Sequence, residues 1–310
     1  MSPTSPASSA SSTSSASPAS PQSAGDAAPA ARPPRRSAFR LFPVRVARTE
    51  RLTPLMVRIT FAGDTLDGFA GGGYDQRCKL MLPRTGQAEP VLSEDADAVG
   101  WFEAWRRTPE EIRPVMRTYT VRAQRPHRQE VDIDFALHEA PDGTSGPATR
   151  WARAATAGDR ILLCGPADAD AGGVDFRPPE GTAALLLAGD ETALPAIAAT
   201  LEGLARDGAG DIRHITVLAD VDGPEGEFGL PTVEQAETSL RWLHRGHGPS
   251  QLAEAVRSAS VPEGRVYAWV AAEASVARGI RRQLVDERGL DRTAVTFKGY
   301  WRAGFSEDDD

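Results

Sequence analysis

The sequence has 310 residues, of which 25% are charged and 40% apolar, and its net charge is −8. These values are typical of a globular protein with one large domain or two ordinary ones, and the acidic balance argues against nucleic-acid binding. The chain has only two cysteines, Cys78 and Cys164, which are too few for a four-cysteine metal site or a disulfide scaffold. No apolar run approaches the roughly eighteen residues that a membrane-spanning helix needs.

Both ends of the chain have compositions typical of disorder. Residues 1–36 are mainly Ser, Ala and Pro, and such a segment cannot bury enough apolar surface to offset the entropy of ordering. Because it also lacks the apolar stretch of a secretory signal, we expect a cytoplasmic protein, with an organelle transit peptide as the alternative. Residues 306–310 are expected to form a structureless acidic tail.

The first half of the chain has the alternation of β-strands. Apolar and polar residues alternate at 57–61 and again at 131–137, which predicts half-buried antiparallel strands. Turn residues separate several such short strands, and this arrangement predicts a barrel or a sandwich. Trp101 and Trp105 lie four residues apart and predict a short helix within residues 94–114.

In the second half, predicted strands alternate with predicted helices. Residues 183–188 form a continuous apolar run, as in a strand buried on both faces. Thr192 is expected to cap a helix that begins at Ala193 and ends before Gly208. The other predicted elements are strands at 212–219, 240–244, 266–270 and 293–298, helices at 251–259 and 276–287, and a weak helical stretch at 232–237. This alternation predicts a parallel α/β sheet.

Two segments of the predicted barrel carry residues suited to cofactor binding. The run 117–122 contains an arginine, an aromatic ring and a hydroxyl, which can clamp a phosphate, stack on a flat ring and donate a hydrogen bond. His138 is expected on the polar face of its strand, and the small-residue turn at 146–149 opens a helix whose backbone N–H groups can bind an anion. Each segment on its own is also consistent with an ordinary structural role, and Arg-x-Tyr-Thr is a common strand sequence.

Two further segments belong to the α/β half. Residues 189–192 follow the first strand, where open α/β sheets place their ligands, although the Gly-x-Gly-x-x-Gly fingerprint is absent. Residues 298–304 follow the last strand and combine two adjacent aromatics with two cations, which can cover a flat ring and attract an anion. A plain strand-to-helix turn and an aromatic anchor for the core are the alternatives.

In this order, the four segments resemble the siderophore-interacting protein family, which includes ferric-siderophore reductases of the ferredoxin-reductase-like superfamily. The resemblance covers residues 39–304. Its most specific parts are Ala-Gly-Asp-Glu-Thr-Ala-Leu-Pro at 188–195 and Gly-Tyr-Trp-Arg at 299–302, whereas Arg-x-Tyr-Thr at 117–120 is shared with the superfamily. Residues 75–80 are similar to a family segment whose lysine helps to form a basic siderophore site.

The resemblance implies an antiparallel Greek-key FAD-binding barrel at 37–166, a linker at 167–181 and a doubly wound α/β nicotinamide-binding domain at 182–305. The FAD-binding residues that it implies are Arg117, Tyr119, Thr120, Val121, His138, Gly146, Ala148, Thr149 and Trp151. The residues that it places along the nicotinamide cofactor are Gly189, Asp190, Glu191, Thr192, Ala272 and Glu273, with Trp301 near the reacting face of the flavin. Lys79, Lys298 and Arg302 would attract the ferric complex. No catalytic side chain or metal ligand is implied, because the flavin carries the chemistry.

Three features refine these expectations. Family members often have a basic residue after the Gly-Pro that ends the barrel, but this chain has Ala167 and Asp168 there. Cys78 stands where other residues are usual, and we interpret it as a packed, unreactive thiol. Asp220 and Asp222 follow the second α/β strand, where a 2′-phosphate would need cations, so NADH is favoured over NADPH.

The implied function is NAD(P)H-dependent, FAD-containing reduction of ferric siderophores with release of Fe(II), by a protein expected to be a monomer that acts without a membrane or nucleic acid. Two alternatives stay open. The protein could be a general flavin oxidoreductase that passes electrons to a protein partner, or a non-catalytic protein that binds flavin or siderophore.

Overall fold

The strands of the described residues form two sheets, one antiparallel and one parallel. The computed structural model describes residues 38–93, 99–138, 144–168, 170–260 and 264–304. The disorder expected for residues 1–36 and 306–310 concerns parts of the chain outside these described residues. Within the described ranges, no helix is both long and apolar enough to cross a membrane.

The antiparallel sheet has the strand order β4-β3-β7-β1-β2-β6-β5. Its strands are β1 (Phe39–Thr53), β2 (Met56–Ala62), β3 (Arg77–Leu82), β4 (Val115–Thr120), β5 (Ala123–Arg125), β6 (Glu130–Ala136) and β7 (Arg160–Pro166). Two α-helices accompany them, α1 (Trp101–Arg107) and α2 (Pro147–Ala154). The expected short helix is confirmed by α1, whose Trp105 packs on Met81 and Met116 outside the sheet.

The connection between β4 and β5 forces this sheet to close. The two strands lie at opposite edges of the strand order, yet only Val121 and Arg122 separate them in the chain. The edges must therefore meet, and the backbone N–H of Arg122 donates to the carbonyl of Asp132 at 2.9 Å. The interior is filled by apolar side chains from six of the strands, and β7 lies between β3 and β1 in Greek-key order. The predicted antiparallel barrel is confirmed.

The polar side of β6 differs from the half-exposed face that alternation predicts. Asp132 and Asp134 are each only 3% exposed. Arg125 makes two hydrogen bonds to the carboxylate of Asp132, at 2.6 and 2.7 Å, and Arg58 makes two to that of Asp134, at 2.7 and 2.8 Å. Because carboxylates can be buried when they are paired and hydrogen-bonded, an acidic position in a strand pattern does not by itself imply exposure.

The parallel sheet has the strand order β10-β9-β8-β11-β12. Its strands are β8 (Ala184–Asp190), β9 (His214–Val221), β10 (Glu237–His244), β11 (Val266–Glu273) and β12 (Val295–Trp301). Its helices are α3 (Leu194–Asp207), α4 (Leu252–Ser258) and α5 (Ala274–Arg282), with a π-helical turn at Gln283–Glu287. Apolar residues of α3 pack on one face of the sheet, and those of α4 and α5 pack on the other. The predicted doubly wound sheet is confirmed.

Two local predictions in this sheet are wrong. Thr192 does not cap α3, because its hydroxyl donates to the carboxylate of Asp190 and the helix begins at Leu194 after an uncapped Ala193. The stretch at 232–237 is not helical, since β10 already begins at Glu237. Val233 in this stretch is buried in the cluster that covers the α3 face of the sheet, so tertiary packing overrides a weak helical pattern.

Helix α3 also packs against the barrel, and a glycine allows the contact. A Cβ on Gly203 would lie 2.8 Å from the ring of Tyr74, which the barrel side contributes. The hydroxyl of Tyr74 donates to Asp207 at 2.9 Å. Arg122 makes a bidentate ion pair with Glu202, with both hydrogen bonds at 2.7 Å. One side of α3 thereby fixes the parallel sheet against the barrel.

The carboxylate of Asp75 makes a second connection between the sheets. It is 2% exposed and accepts three hydrogen bonds, from the backbone N–H groups of Asp175 and Phe176 at 2.9 and 3.0 Å and from the indole of Trp269 at 2.9 Å. Burial raises the pKa of this carboxyl. Asp75 thus links the approach to β3, the segment between β7 and β8, and the middle of β11.

The two cysteines are free and buried. Burial raises the pKa of the Cys78 thiol well above its usual range and that of Cys164 to about 12. Cys78 is therefore packed as expected, and because the thiolate is the reactive form, burial of this kind favours an unreactive thiol.

Replacing Asp75 by alanine is expected to lower the free energy of unfolding by roughly 3 kcal/mol, because a buried donor left unsatisfied costs about 1–3 kcal/mol. Urea unfolding followed by tryptophan fluorescence measures the change. Asp75→Asn keeps an oxygen for the two backbone donors and should lose less. Asp64→Ala, at an exposed position, is the matched control. An Asp75→Ala variant with the free energy of unfolding of the wild type would contradict the linking role assigned to Asp75.

Candidate functional site

The candidate site lies at the point where the strand order of the parallel sheet reverses. Strand β8 lies between β9 and β11 in the sheet. Ligands of open α/β sheets bind at such a switch point, beyond the carboxyl ends of the strands. Gly189 stands near the end of β8, where a Cβ would lie 2.4 Å from the Cβ of Ala193 and 2.9 Å from the carbonyl oxygen of Ala271. Only glycine fits here, so the start of α3 comes close to β11.

Asp190 connects several of the residues expected along the nicotinamide cofactor. It is 5% exposed, and its carboxylate accepts hydrogen bonds from the N–H of Thr192 at 3.0 Å and of Glu273 at 3.1 Å. The same carboxylate accepts from the indole of Trp301 at 2.8 Å. Burial, and then the charge of Glu191, raises the pKa of Asp190. Strands β8, β11 and β12 therefore meet at the carboxyl group of Asp190.

His138 brings the barrel to the same place. It lies just after β6, and its ring stacks on Trp301 with a centroid distance of 5.9 Å. Its Nδ1 is 3.4 Å from Oε1 of Glu191. Its Nε2 is buried and has no hydrogen-bond partner among the described residues. A polar atom of this kind is available to a ligand between the two sheets.

Arg245 belongs to the candidate site although no sequence motif indicates it. It follows β10 directly, and its guanidinium makes a bidentate ion pair with Glu191, one bond of which measures 2.8 Å. The same group donates to the carbonyl of Asp220 at 3.2 Å. The carboxylate of Asp220 is fully buried and accepts from the hydroxyl of Ser250 and from the N–H of Gln251. An arginine after a short strand has no motif around it, so only its spatial partners identify it.

Strand β4 divides its predicted flavin residues between two faces. Tyr119 packs on Phe135 with a centroid distance of 4.4 Å, and Arg117 lies on the same face. Thr120 lies on the opposite face and hydrogen-bonds to the phenol of Tyr300, whose pKa burial raises. Tyr300 is a second residue that sequence reasoning missed, because it was considered only as part of an aromatic pair. The side chain of Val121 is buried in the barrel core.

Helix α2 presents an uncapped N-terminus. Gly146 precedes it, Pro147 occupies its first turn, and no side chain caps it. Ala148 and Thr149 in that turn are buried. Trp151 lies further along and stacks on Phe61 at 6.2 Å, so it anchors the helix to the barrel. Backbone N–H groups of a first turn that no described side chain caps are suited to bind an anion such as a phosphate.

These features fit a flavin nucleotide. The buried Nε2 of His138 lacks a partner, the first turn of α2 is open to an anion, and the ring of Tyr119 is partly exposed. A flat, polar ring system with a phosphate tail has complementary chemistry for these three groups.

The cations expected to attract the substrate occupy two places. The ammonium of Lys79 donates to the hydroxyl of Thr118 at 3.0 Å across the β3–β4 pair. The ammonium of Lys298 lies 3.1 Å from a carboxylate oxygen of Asp175, and the guanidinium of Arg77 lies 3.2 Å from the same oxygen. Arg77 is thus an additional cation beside Lys298, and Asp175 neutralises part of their combined positive charge. Arg302 is exposed just after β12.

Comparisons with known proteins agree with this architecture. Residues 45–170 match the family model of the siderophore-interacting FAD-binding domain, and residues 182–304 match that of the siderophore-interacting protein. The ferric vibriobactin reductase ViuB of Vibrio cholerae is 30% identical, over 84% of this chain and 89% of that protein. The NADPH-dependent ferric-chelate reductase of Escherichia coli is 26% identical, over 86% of this chain and 95% of that protein.

A solved structure gives the same result in three dimensions. The crystal structure of a siderophore utilization protein from T. fusca has a TM-score of 0.70 and 32% identity, and the match covers 87% of this chain and 95% of that chain. The two family models together span most of the described chain, in the order of the two sheets. The chain therefore belongs to the siderophore-interacting protein family, with an FAD-binding domain in its first half.

Proposed function

We propose that this protein is an NAD(P)H-dependent, FAD-containing reductase of ferric siderophores that releases the iron as Fe(II). The observation that carries the proposal is the meeting of His138 from the barrel with Trp301 and Asp190 from the parallel sheet at the switch point. The named activities of the relatives from V. cholerae and E. coli support it. We further propose that it acts as a cytoplasmic monomer.

The barrel, at residues 37–166, would hold the FAD. Its groups for that role are Arg117, Tyr119, Thr120, Val121, His138, Gly146, Ala148, Thr149 and Trp151, of which Trp151 acts by anchoring α2. When bound, FAD accepts two electrons together from a nicotinamide and passes them on singly, as iron requires. The phenol of Tyr300 positions the hydroxyl of Thr120 through their hydrogen bond.

The parallel sheet, at residues 182–305 after a linker at 167–181, would hold the nicotinamide cofactor. Its groups for that role are Gly189, Asp190, Glu191, Thr192, Ala272, Glu273 and Trp301. The carboxylate of Asp190 fixes the indole of Trp301. The Asp190 carboxylate is only 5% exposed, so little water competes with its hydrogen bonds.

The charges near the end of β9 support NADH as the preferred reductant. Asp222 follows this strand, whereas Asp220, which was expected after it, is its penultimate residue because β9 extends to Val221. Arg245 lies beside Asp220. The charge of Arg245 is already balanced by Glu191, and Asp222 pairs with His247 at 2.7 Å. A 2′-phosphate would therefore meet a region in which carboxylates outnumber the arginine.

Anaerobic mixing tests the proposed reaction. The FAD-loaded protein is mixed with NADH and with ferric catecholate or ferric hydroxamate siderophores, while the flavin absorption band and trapping of ferrous iron by a chelator are followed. We expect the band to bleach with NADH and to recover with the ferric siderophore as Fe(II) appears. Recovery only with a protein acceptor would indicate a general flavin oxidoreductase. A band that NADH never bleaches would indicate a binding protein.

The cofactor preference is tested by steady-state kinetics with one ferric siderophore. We expect kcat/KM for NADH to exceed that for NADPH by about tenfold or more, which is roughly 1.4 kcal/mol of discrimination. Equal values, or a higher value for NADPH, would contradict the electrostatic argument.

The substrate cations are tested by charge reversal. Lys79→Glu should raise KM for an anionic ferric siderophore several-fold at low salt, because its field extends about 30 Å at 0.01 M salt, and the effect should shrink near 1 M, where screening acts within about 3 Å. Arg257→Glu on α4 makes the same change in charge and is the control. An unchanged KM in Lys79→Glu would place the iron complex elsewhere.

A further inference from the structure

We propose that Glu191 determines the choice between the two nicotinamide cofactors, because it holds Arg245 in an ion pair and thereby withholds this cation from a 2′-phosphate. The inference rests on the proposed function, since it concerns the nicotinamide site of that reductase. It assigns to Glu191 and Arg245 a role in specificity that is separate from the chemistry of the flavin.

Arg245 lies where adenine dinucleotides are distinguished. Its backbone N–H donates to the carbonyl of Val221 at 3.1 Å, and its guanidinium donates to the carbonyl of Asp220 at 3.2 Å. Both carbonyls belong to the carboxyl end of β9, the strand next to the one that opens the site. In sheets of this kind, an acidic residue near this position binds the ribose 2′-hydroxyl of NAD, and an arginine nearby accommodates the 2′-phosphate of NADP.

The ion pair keeps Arg245 occupied. Both carboxylate oxygens of Glu191 accept hydrogen bonds from its guanidinium. The Arg245 side chain is 17% exposed and that of Glu191 is 8% exposed, so water screens the pair little. Bidentate pairs of arginine with a carboxylate are directional and strong, and a phosphate would have to replace the carboxylate to gain the same geometry.

Neighbouring charges act in the same direction. Asp220 is fully buried and lies 3.9 Å from the guanidinium, so it acts on this position by charge. With Glu191 in place, two carboxylates face one guanidinium, which repels a doubly charged phosphate. Neutralising Glu191 would leave Arg245 free to turn toward a phosphate, with Asp220 at 3.9 Å and the charge of Asp190 as its remaining carboxylate neighbours among the described residues. The same change also alters the 3.4 Å contact of Glu191 with His138. The experiment must therefore distinguish the loss of this contact from the release of Arg245.

Nucleotide fragments test this without any electron transfer. Isothermal titration calorimetry of the FAD-loaded protein compares adenosine 2′,5′-bisphosphate with 5′-AMP, which lacks the 2′-phosphate. In Glu191→Gln we expect the affinity for the bisphosphate to rise by about tenfold, while that for 5′-AMP changes by less than about twofold. In Glu191→Gln combined with Arg245→Gln, the gain should be lost, because the phosphate then has no guanidinium to bind.

Three further variants serve as controls. His138→Ala removes the contact of Glu191 with the barrel but leaves Arg245 paired, so the ratio of its affinities for the bisphosphate and 5′-AMP should stay at the wild-type value. Because His138 is also proposed to bind FAD, this ratio is compared at a measured and matched flavin content. Glu287→Gln removes one negative charge from the same sheet domain, away from Arg245, and should change both affinities little. Glu191→Asp keeps the charge on a shorter side chain and should give a smaller gain than Glu191→Gln.

The outcomes distinguish this inference from the proposed function. An unchanged affinity for the bisphosphate in Glu191→Gln and Glu191→Asp, or an equal gain for both nucleotides, would overturn the role of Glu191. Failure of the wild-type protein to reduce any ferric siderophore, with the nucleotide pattern as expected, would overturn the proposed substrate alone. Circular dichroism and the thermal midpoint show whether each variant is folded.

Discussion

The buried carboxylate of Asp75 holds together the parts of the chain on which the site depends. It satisfies two backbone N–H groups of the segment between the sheets and the indole of Trp269 in β11. An unsatisfied buried donor is costly, so these bonds fix the position of β11 relative to the barrel. Strand β12 pairs with β11, and it carries Tyr300 to Thr120 and Trp301 to His138.

The contact between the sheets uses few residues but several kinds of interaction. The flat side of α3 at Gly203 admits the ring of Tyr74, and the ion pair of Arg122 with Glu202 adds directional hydrogen bonds. Apolar close packing sets the distance between the elements, and the polar contacts set their orientation. Residues that are far apart in the sequence can therefore share one site at the switch point.

Carboxylates dominate the part of this site that belongs to the parallel sheet. Asp190, Glu191 and Asp220 are all buried, and each is compensated by hydrogen bonds or by Arg245. The compensation makes their burial tolerable, but it also commits Arg245 to a partner. Among the cations proposed to attract the substrate, Asp175 similarly neutralises part of the positive charge of Lys298 and Arg77. In both places, the field that a ligand meets depends on pairing rather than on the count of charges.

The sequence alone indicated the fold class and the four segments of the candidate site, because these are local properties. Period-two alternation predicted the barrel strands, a buried apolar run predicted β8, and the compact motifs that end in Pro195 and Arg302 led to the correct family. The same patterns were misleading where a single residue was interpreted without its partner. Asp132 and Asp134 are buried by arginines that a strand pattern does not reveal, and Thr192 bonds to Asp190 instead of capping α3.

Only the tertiary structure decided which side chains meet. Asp75 and Trp269 are 194 residues apart in the chain, and Glu191 and Arg245 are 54 apart. Neither pair belongs to a common motif, and no periodicity within one element predicts it. The local sequence determines which face of a strand or helix a residue occupies. Closure of the barrel and packing of α3 determine which residues that face contacts.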